Sequence, residues 1–192
     1  LKGRADWSPG GAVPCLHDLS VIPEVELIFG AVALAPGEYR VVKGERMEFG
    51  VTYSDWGKAG PLFFFAGTGA LDPEKKRSIL SFADISDKGR WLAHGRIDDN
   101  QIATAKAWFT YQRSIFARMP FKPSQVVHQT VHLRNPSDWP AVERVAQIVF
   151  EGRIPATTVV PVDSMGFYFR DTPTPELLEP LRMEIQLEGI VE

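Results

Sequence analysis

Apolar residues recur at helical spacing in two stretches of the second half of the chain and at alternate positions in several stretches around them. Over residues 99–119, Ile102, Ala105, Phe109, Phe116 and Met119 fall on one helical stripe, with Lys106, Arg113 and Arg118 off it. Asp98 or Asp99 can cap the start of this helix, and Pro120 stops it. The pattern predicts a second helix over 139–151, with Val142, Ala146 and Val149 on one face. Asp138 suits its N-cap, Pro140 is harmless in its first turn, and Gly152 can end it in a left-handed conformation.

Strands interleave with the helices. Residues 47–53 and 62–68 read as a hairpin joined by the turn-rich segment 55–60. Residues 126–133 alternate Val127, Val131 and Leu133 against His128, Thr130 and His132. Residues 156–162 are β-branched, and 181–191 alternate apolar with acidic or amide side chains. The order β-β-α-β-α-β-β predicts an α+β domain over 47–192, a sheet with both helices on one face. Two long loops interrupt it: 72–98, and 163–180 with Phe167, Tyr168, Phe169 and Arg170. Loops of that length in a compact domain are more often functional or mobile than structural. Residues 1–46 read as a β extension, with strands at 13–19 and 24–35. The succession of strand, turn and strand after Gly3-Arg4 parallels that after Gly152-Arg153. Two readings stay open for this segment: an N-terminal hairpin, or the tail of an upstream copy of the same fold. Opening on Leu1, the chain is expected to be a trimmed or processed product or a fragment.

Composition narrows the function classes. The 192 residues are 44% hydrophobic and 23% charged, which suits a folded globular domain and argues against disorder. With a net charge of −3 and scattered Lys and Arg, there is no basic footprint for nucleic acid. No apolar run is long enough to span a bilayer, and no signal-peptide pattern opens the chain. A single cysteine, Cys15, excludes an internal disulfide and fits a reducing compartment, so a cytoplasmic location is expected. His128 and His132 share one strand face but lack a third ligand nearby in sequence; helix-facing or interface histidines are the expectation, with no metal and no cofactor. Glu184, Gln186 and Glu188 also share a face, and Glu188 in a closed cleft would suit a general acid or base.

Five segments in order carry a resemblance to a known family. They are Tyr53-Ser54; Leu62–Gly67 with Ala70-Leu71-Asp72-Pro73; Val126–Asp138; Ile154-Pro155-Ala156-Thr157-Thr158; and Ile185–Ile190. Over 49–192 the chain resembles the Rid family (YjgF-like, once described as L-PSP endoribonucleases). The resemblance implies a trimeric or pseudo-trimeric assembly with small-molecule clefts between subunits. It also implies hydrolysis of reactive imines or enamines, with an Arg fork gripping a carboxylate and a Glu on the last strand holding water. Position by position, Tyr53 is kept. Thr157 stands where the Arg is expected and Ala66 where a Ser is expected; Gln186 replaces the first Glu of the last strand while Glu188 keeps the second; Glu143 stands where many members have Asn.

Ordinary deamination is therefore not expected unless Arg153, Arg170 or Arg134 supplies the carboxylate grip. The reading is a homo-oligomer that binds or hydrolyses a small imine-, enamine- or enol-type metabolite at a subunit interface. Glu188 would hold water there, with Tyr53 and Thr157 as hydrogen-bonding partners. The alternatives are a non-catalytic binding or scaffolding module, or a fused-repeat enzyme like the chorismatases, whose closing strand resembles Leu187–Val191 including the Gly.

Overall fold

The computed structural model describes residues 41–43, 56–72, 77–78, 101–162 and 182–191. Within them the chain forms β1 (Val41–Lys43), β2 (Trp56–Ala59), β3 (Leu62–Thr68), β4 (Leu71–Asp72), β5 (Arg77–Ser78), α1 (Gln101–Phe109), β6 (Val126–Leu133), α2 (Trp139–Val149), β7 (Ala156–Pro161) and β8 (Met183–Ile190). Six strands make the main sheet in the order β1-β2-β3-β8-β6-β7, and β4 pairs with β5 apart from it. Every pair in the main sheet is antiparallel except β6–β7, which are joined through α2. A parallel pair needs such a crossover, and a helix supplies it. The predicted α+β architecture is thus present, with both helices packed into one core on one side of a mixed sheet.

The core is built by period-two alternation in the central strands. Met183, Ile185 and Leu187 of β8 lie opposite Leu133, Val131 and Gln129 of β6, all 1% exposed or less. They meet Ala141, Val142, Val145 and Ala146 of α2, and Tyr111 and Ile115 beyond α1. Phe63 is fully buried and stacks on Phe121, whose edge meets Trp56. α2 agrees with the predicted helix to within two residues. Glu151 and Gly152, both at positive φ, close it, and Gly152 donates to the Gln147 carbonyl.

Several sequence expectations are corrected. The segment read as the hairpin turn contains β2 itself, and the turn is the two residues Gly60-Pro61. Gly60 at φ 58° supplies the positive φ that a glycine-first two-residue hairpin needs. Residues 47–53 lie outside the described residues, whereas β1, earlier in the chain, pairs with β2. Lys106, placed off the apolar stripe, is buried, because α1 is enclosed on all sides from Ala103 onward. α1 does not continue as an α-helix to Met119; Thr110–Phe116 form a π-helical segment. Thr110 Oγ1 donates to the Lys106 carbonyl at 2.8 Å, a side-chain competitor for the helix ladder where the winding changes. Val127 is 48% exposed, because a bulge between Val126 and His128 turns Val126 into the core instead.

Asp138 does not cap α2 with its side chain. Its fully buried carboxylate instead accepts both arms of Arg182, Nε at 2.9 Å and Nη2 at 2.7 Å. The residues expected to cap α1, Asp98 and Asp99, lie outside the described residues, as does most of 1–46 and of the two long loops. No described helix is long and apolar enough to cross a membrane.

Candidate functional site

Alternation that sends Met183, Ile185 and Leu187 toward the helices sends Glu184, Gln186 and Glu188 to the other face of β8. There they stand in register beside His132, Thr130 and His128 of β6. Both histidines therefore lie on the face away from the helices, so of the two expectations, helix-facing or interface, the first is corrected. The six side chains form a polar band across the middle of the sheet, to which β6, β7 and β8 contribute no Lys or Arg. Leu62 and Ile190, paired in register on the same face, are 37% and 47% exposed.

One end of the band carries a line of three groups on three adjacent strands. Glu188 Oε2 lies 3.6 Å from His128 Nδ1, and His128 Nε2 lies 3.0 Å from Thr158 Oγ1. The first distance is an ion-pair separation and the second a hydrogen bond. A hydroxyl, an imidazole and a carboxylate in this order can pass a proton: the carboxylate favours Nδ1–H, leaving Nε2 to accept. Glu188 and His128 are half and about one-third open, with side-chain exposures of 50% and 31%, so a ligand can reach them.

The other end is enclosed. Glu184 is 4% exposed and accepts from Gln186 Nε2 at 3.3 Å. Burial pushes its carboxyl up to about 7, and the Gln186 amide pulls the other way. His132, 6% exposed, has its imidazole pushed down by burial, and its Nδ1 is buried without a partner. A carboxyl with a raised folded pKa loses stability as pH climbs from the unfolded toward the folded value. Urea midpoints should therefore show the wild type losing stability between about pH 4.5 and 7, by on the order of 2–3 kcal/mol relative to Glu184→Gln. His132 contributes an opposite slope below pH 6.5, present in both proteins, so the difference isolates Glu184.

The other site residues expected from the sequence are dispersed. Thr157 lies on the helix side: its hydroxyl accepts from Gln129 Nε2 at 2.8 Å and donates to the Pro155 carbonyl at 2.9 Å. Gln129 Oε1 in turn accepts from the buried Tyr111 hydroxyl at 2.7 Å. That chain braces β7 against the helices, and the sheet separates Thr157 from Gln186 and Glu188. Glu143 is half-buried on α2, also on the helix side, and Arg153 is exposed ahead of β7. Tyr53 and Arg170 lie outside the described residues. The structure sets His128, Thr130 and His132 beside the β8 group that alternation had already gathered, and adds Thr158 next to His128. Period-two parity in β6 and β8 was the signal that could have grouped both histidines with the three β8 side chains.

Neither a family model nor a curated protein matches the sequence. Solved structures do. A Klebsiella pneumoniae protein described as a candidate endoribonuclease superposes with a TM-score of 0.60 at 21% identity, covering 73% of this chain and 100% of its own. RidA from an Antarctic Psychrobacter gives 0.51 at 19%, over 74% and 90%. Escherichia coli TdcF, solved with bound serine, gives 0.50 at 12%, over 73% and 88%. At such identities it is the architecture that is shared: the chain carries the Rid-type fold.

Proposed function

We propose that the protein binds and hydrolyses a small imine-, enamine- or enol-type metabolite on the helix-free face of its sheet, in a pocket completed by a second copy of the chain. The Glu188–His128–Thr158 line carries this reading, because it puts a carboxylate-oriented base on an accessible face. His128 takes a proton from the attacking water, and Glu188 stabilises the imidazolium that forms. Exposed Leu62 and Ile190 beside the line are the surface that the neighbouring copy covers. Serine bound to TdcF makes amino-acid-derived metabolites the class to try first. Thr157 is committed to the helix side, so the carboxylate of such a metabolite would be gripped by Arg153 or Arg170.

The test is ammonia release from freshly generated 2-aminoacrylate, with chorismate as the enol-ether probe. The expected result is turnover of 2-aminoacrylate that falls about 100-fold in His128→Asn and less in Glu188→Gln, since the carboxylate orients and does not react. Silence on both probes removes the enzyme reading and leaves a binding module. Light scattering that returns a stable monomer removes the interface pocket.

A further inference from the structure

Two groups at the enclosed end of the band have no part in the Glu188–His128–Thr158 line. Glu184 and His132 face each other in register across β8 and β6, yet no hydrogen bond or ion pair links them. A pair that served packing alone would be apolar or mutually bonded, since a buried polar atom left unmatched is costly. Among the described residues, Nδ1 of His132 is an orphan, and Glu184 has only the long contact from Gln186. Such unused polar capacity at one end of a band that is open at the other is what a polar ligand group would match.

We propose that Glu184 and His132 form the inner end of the substrate pocket, where they hold and protonate the uncharged nitrogen- or oxygen-bearing end of the ligand.

Burial holds Glu184 protonated up to about pH 7 and favours neutral His132, so over that range Glu184 offers an O–H donor and His132 Nδ1 an acceptor. Among the described residues, the groups around them do not oppose this. Gln186 and Thr130 are next along the strands, then Glu188 and His128; β3 and β7 bring no titratable side chain. Arg134 and Arg182 stand where the two strands end, and Arg182 turns to Asp138. An anionic end would meet a carboxyl and no strand-borne cation, so the inner end favours an amide, imine or carbonyl over a carboxylate.

The reaction, though not the binding, rests on the hydrolase reading under Proposed function. For an imine, Glu184 gives its proton to nitrogen and becomes carboxylate. Water then adds to carbon, the C=N π pair moves to nitrogen, and the excess proton of the water passes to His128, while His132 Nδ1 holds the nitrogen-bearing end. His128 returns that proton to nitrogen, the C–N bond breaks, and ammonia leaves with the bonding pair. The remaining hydroxyl proton goes to the Glu184 carboxylate, giving the carbonyl product and restoring both groups.

Two measurements on the full chain test this, using the wild type, Glu184→Gln and His132→Asn, each checked for folding by thermal melting. In the first, amide NMR follows addition of propionamide or propionate at pH 7. Propionamide should move the resonances of Glu184, His132 and Gln186, and propionate should not; no shift with propionamide, or equal shifts with both, overturns the pocket. In the second, turnover of 2-aminoacrylate should fall about 100-fold in Glu184→Gln with KM little changed. The wild-type loss of rate above about pH 7 should be absent from that variant. Wild-type rate and pH profile in Glu184→Gln would overturn the role while leaving the hydrolase reading intact. If the wild type releases no ammonia but propionamide still moves the pair, the hydrolase reading fails and the pocket stands.

Discussion

Gly189→Ala is expected to cost about 3 kcal/mol or more, enough to leave much of the protein unfolded at 37 °C. A Cβ at Gly189 would run into the ring of Phe63 at Cε1 and Cζ and into the backbone carbonyl of Gln125. Neither can give way easily. Phe63 is fully buried and stacked on Phe121 with ring centroids 4.3 Å apart, and Gln125 is the residue from which β6 starts. The clash sits where β8 passes between β3 and β6, so relief would require opening a strand pair. Gly152→Ala is the internal comparison. Nothing lies within 4 Å of its added Cβ, and only the positive φ of 78° resists the change, a cost of about 1 kcal/mol. Chemical denaturation of the two variants should separate them by several-fold in lost stability. Equal losses would mean that the contact at Gly189 relaxes.

That glycine illustrates what a sequence reveals and what it conceals. The closing strand was legible because Met183, Ile185 and Leu187 alternate with polar residues, and a Gly inside such a strand marks close approach of another chain segment. β6 and α2 were legible from their own periods, and β7 from its β-branched composition. The first hairpin was not. Gly57, Lys58, Ala59 and Gly60 have the composition of a turn, and β2 becomes a strand because β1 and β3 pair with it on both sides. Lys106 looked like a solvated residue because its type is usually exposed; α1 is enclosed all round, so no helical stripe could have told its inner and outer faces apart. At the site, alternation correctly grouped Glu184, Gln186 and Glu188. β7 offered no such guide, since its exposure does not alternate along the strand, and a strand with no buried face does not declare its parity. Thr157 could therefore be grouped with Glu188 in sequence although the sheet lies between them. The line from Glu188 through His128 to Thr158 requires β8, β6 and β7 to be neighbours, an order that local pattern does not contain.

Asp138→Ala should destabilise the protein by about 3–5 kcal/mol, the usual cost of removing one partner from a buried ion pair. Asp138 is fully buried, and both arms of Arg182 are directed to it, while the Arg182 side chain is only 26% exposed. Lys106 adds a second cation nearby. Its amine is pushed down to about 8, first by burial and then by the Arg182 charge, with Asp138 working in the opposite direction. Without the carboxylate, two cations share a buried site and Lys106 is pushed lower still. A lysine whose folded value lies below its unfolded value of 10.5 releases its proton earlier in the native state. The unfolded chain then binds more protons, and stability rises with pH across that interval. In the wild type the rise should start near pH 8; in Asp138→Ala it should start lower and span a wider pH interval. Lys106→Met removes that slope, and added to Asp138→Ala it should recover part of the loss, giving a positive coupling in a double-mutant cycle. A purely additive cycle would mean that the two charges do not sense each other. Because Arg182 immediately precedes β8 and Glu184 lies two residues farther on, the same variant should also disturb the inner end of the polar band. Asp138→Asn keeps the shape and an acceptor for Arg182, so its loss should be smaller, and the gap between the two variants measures how much of the effect is charge.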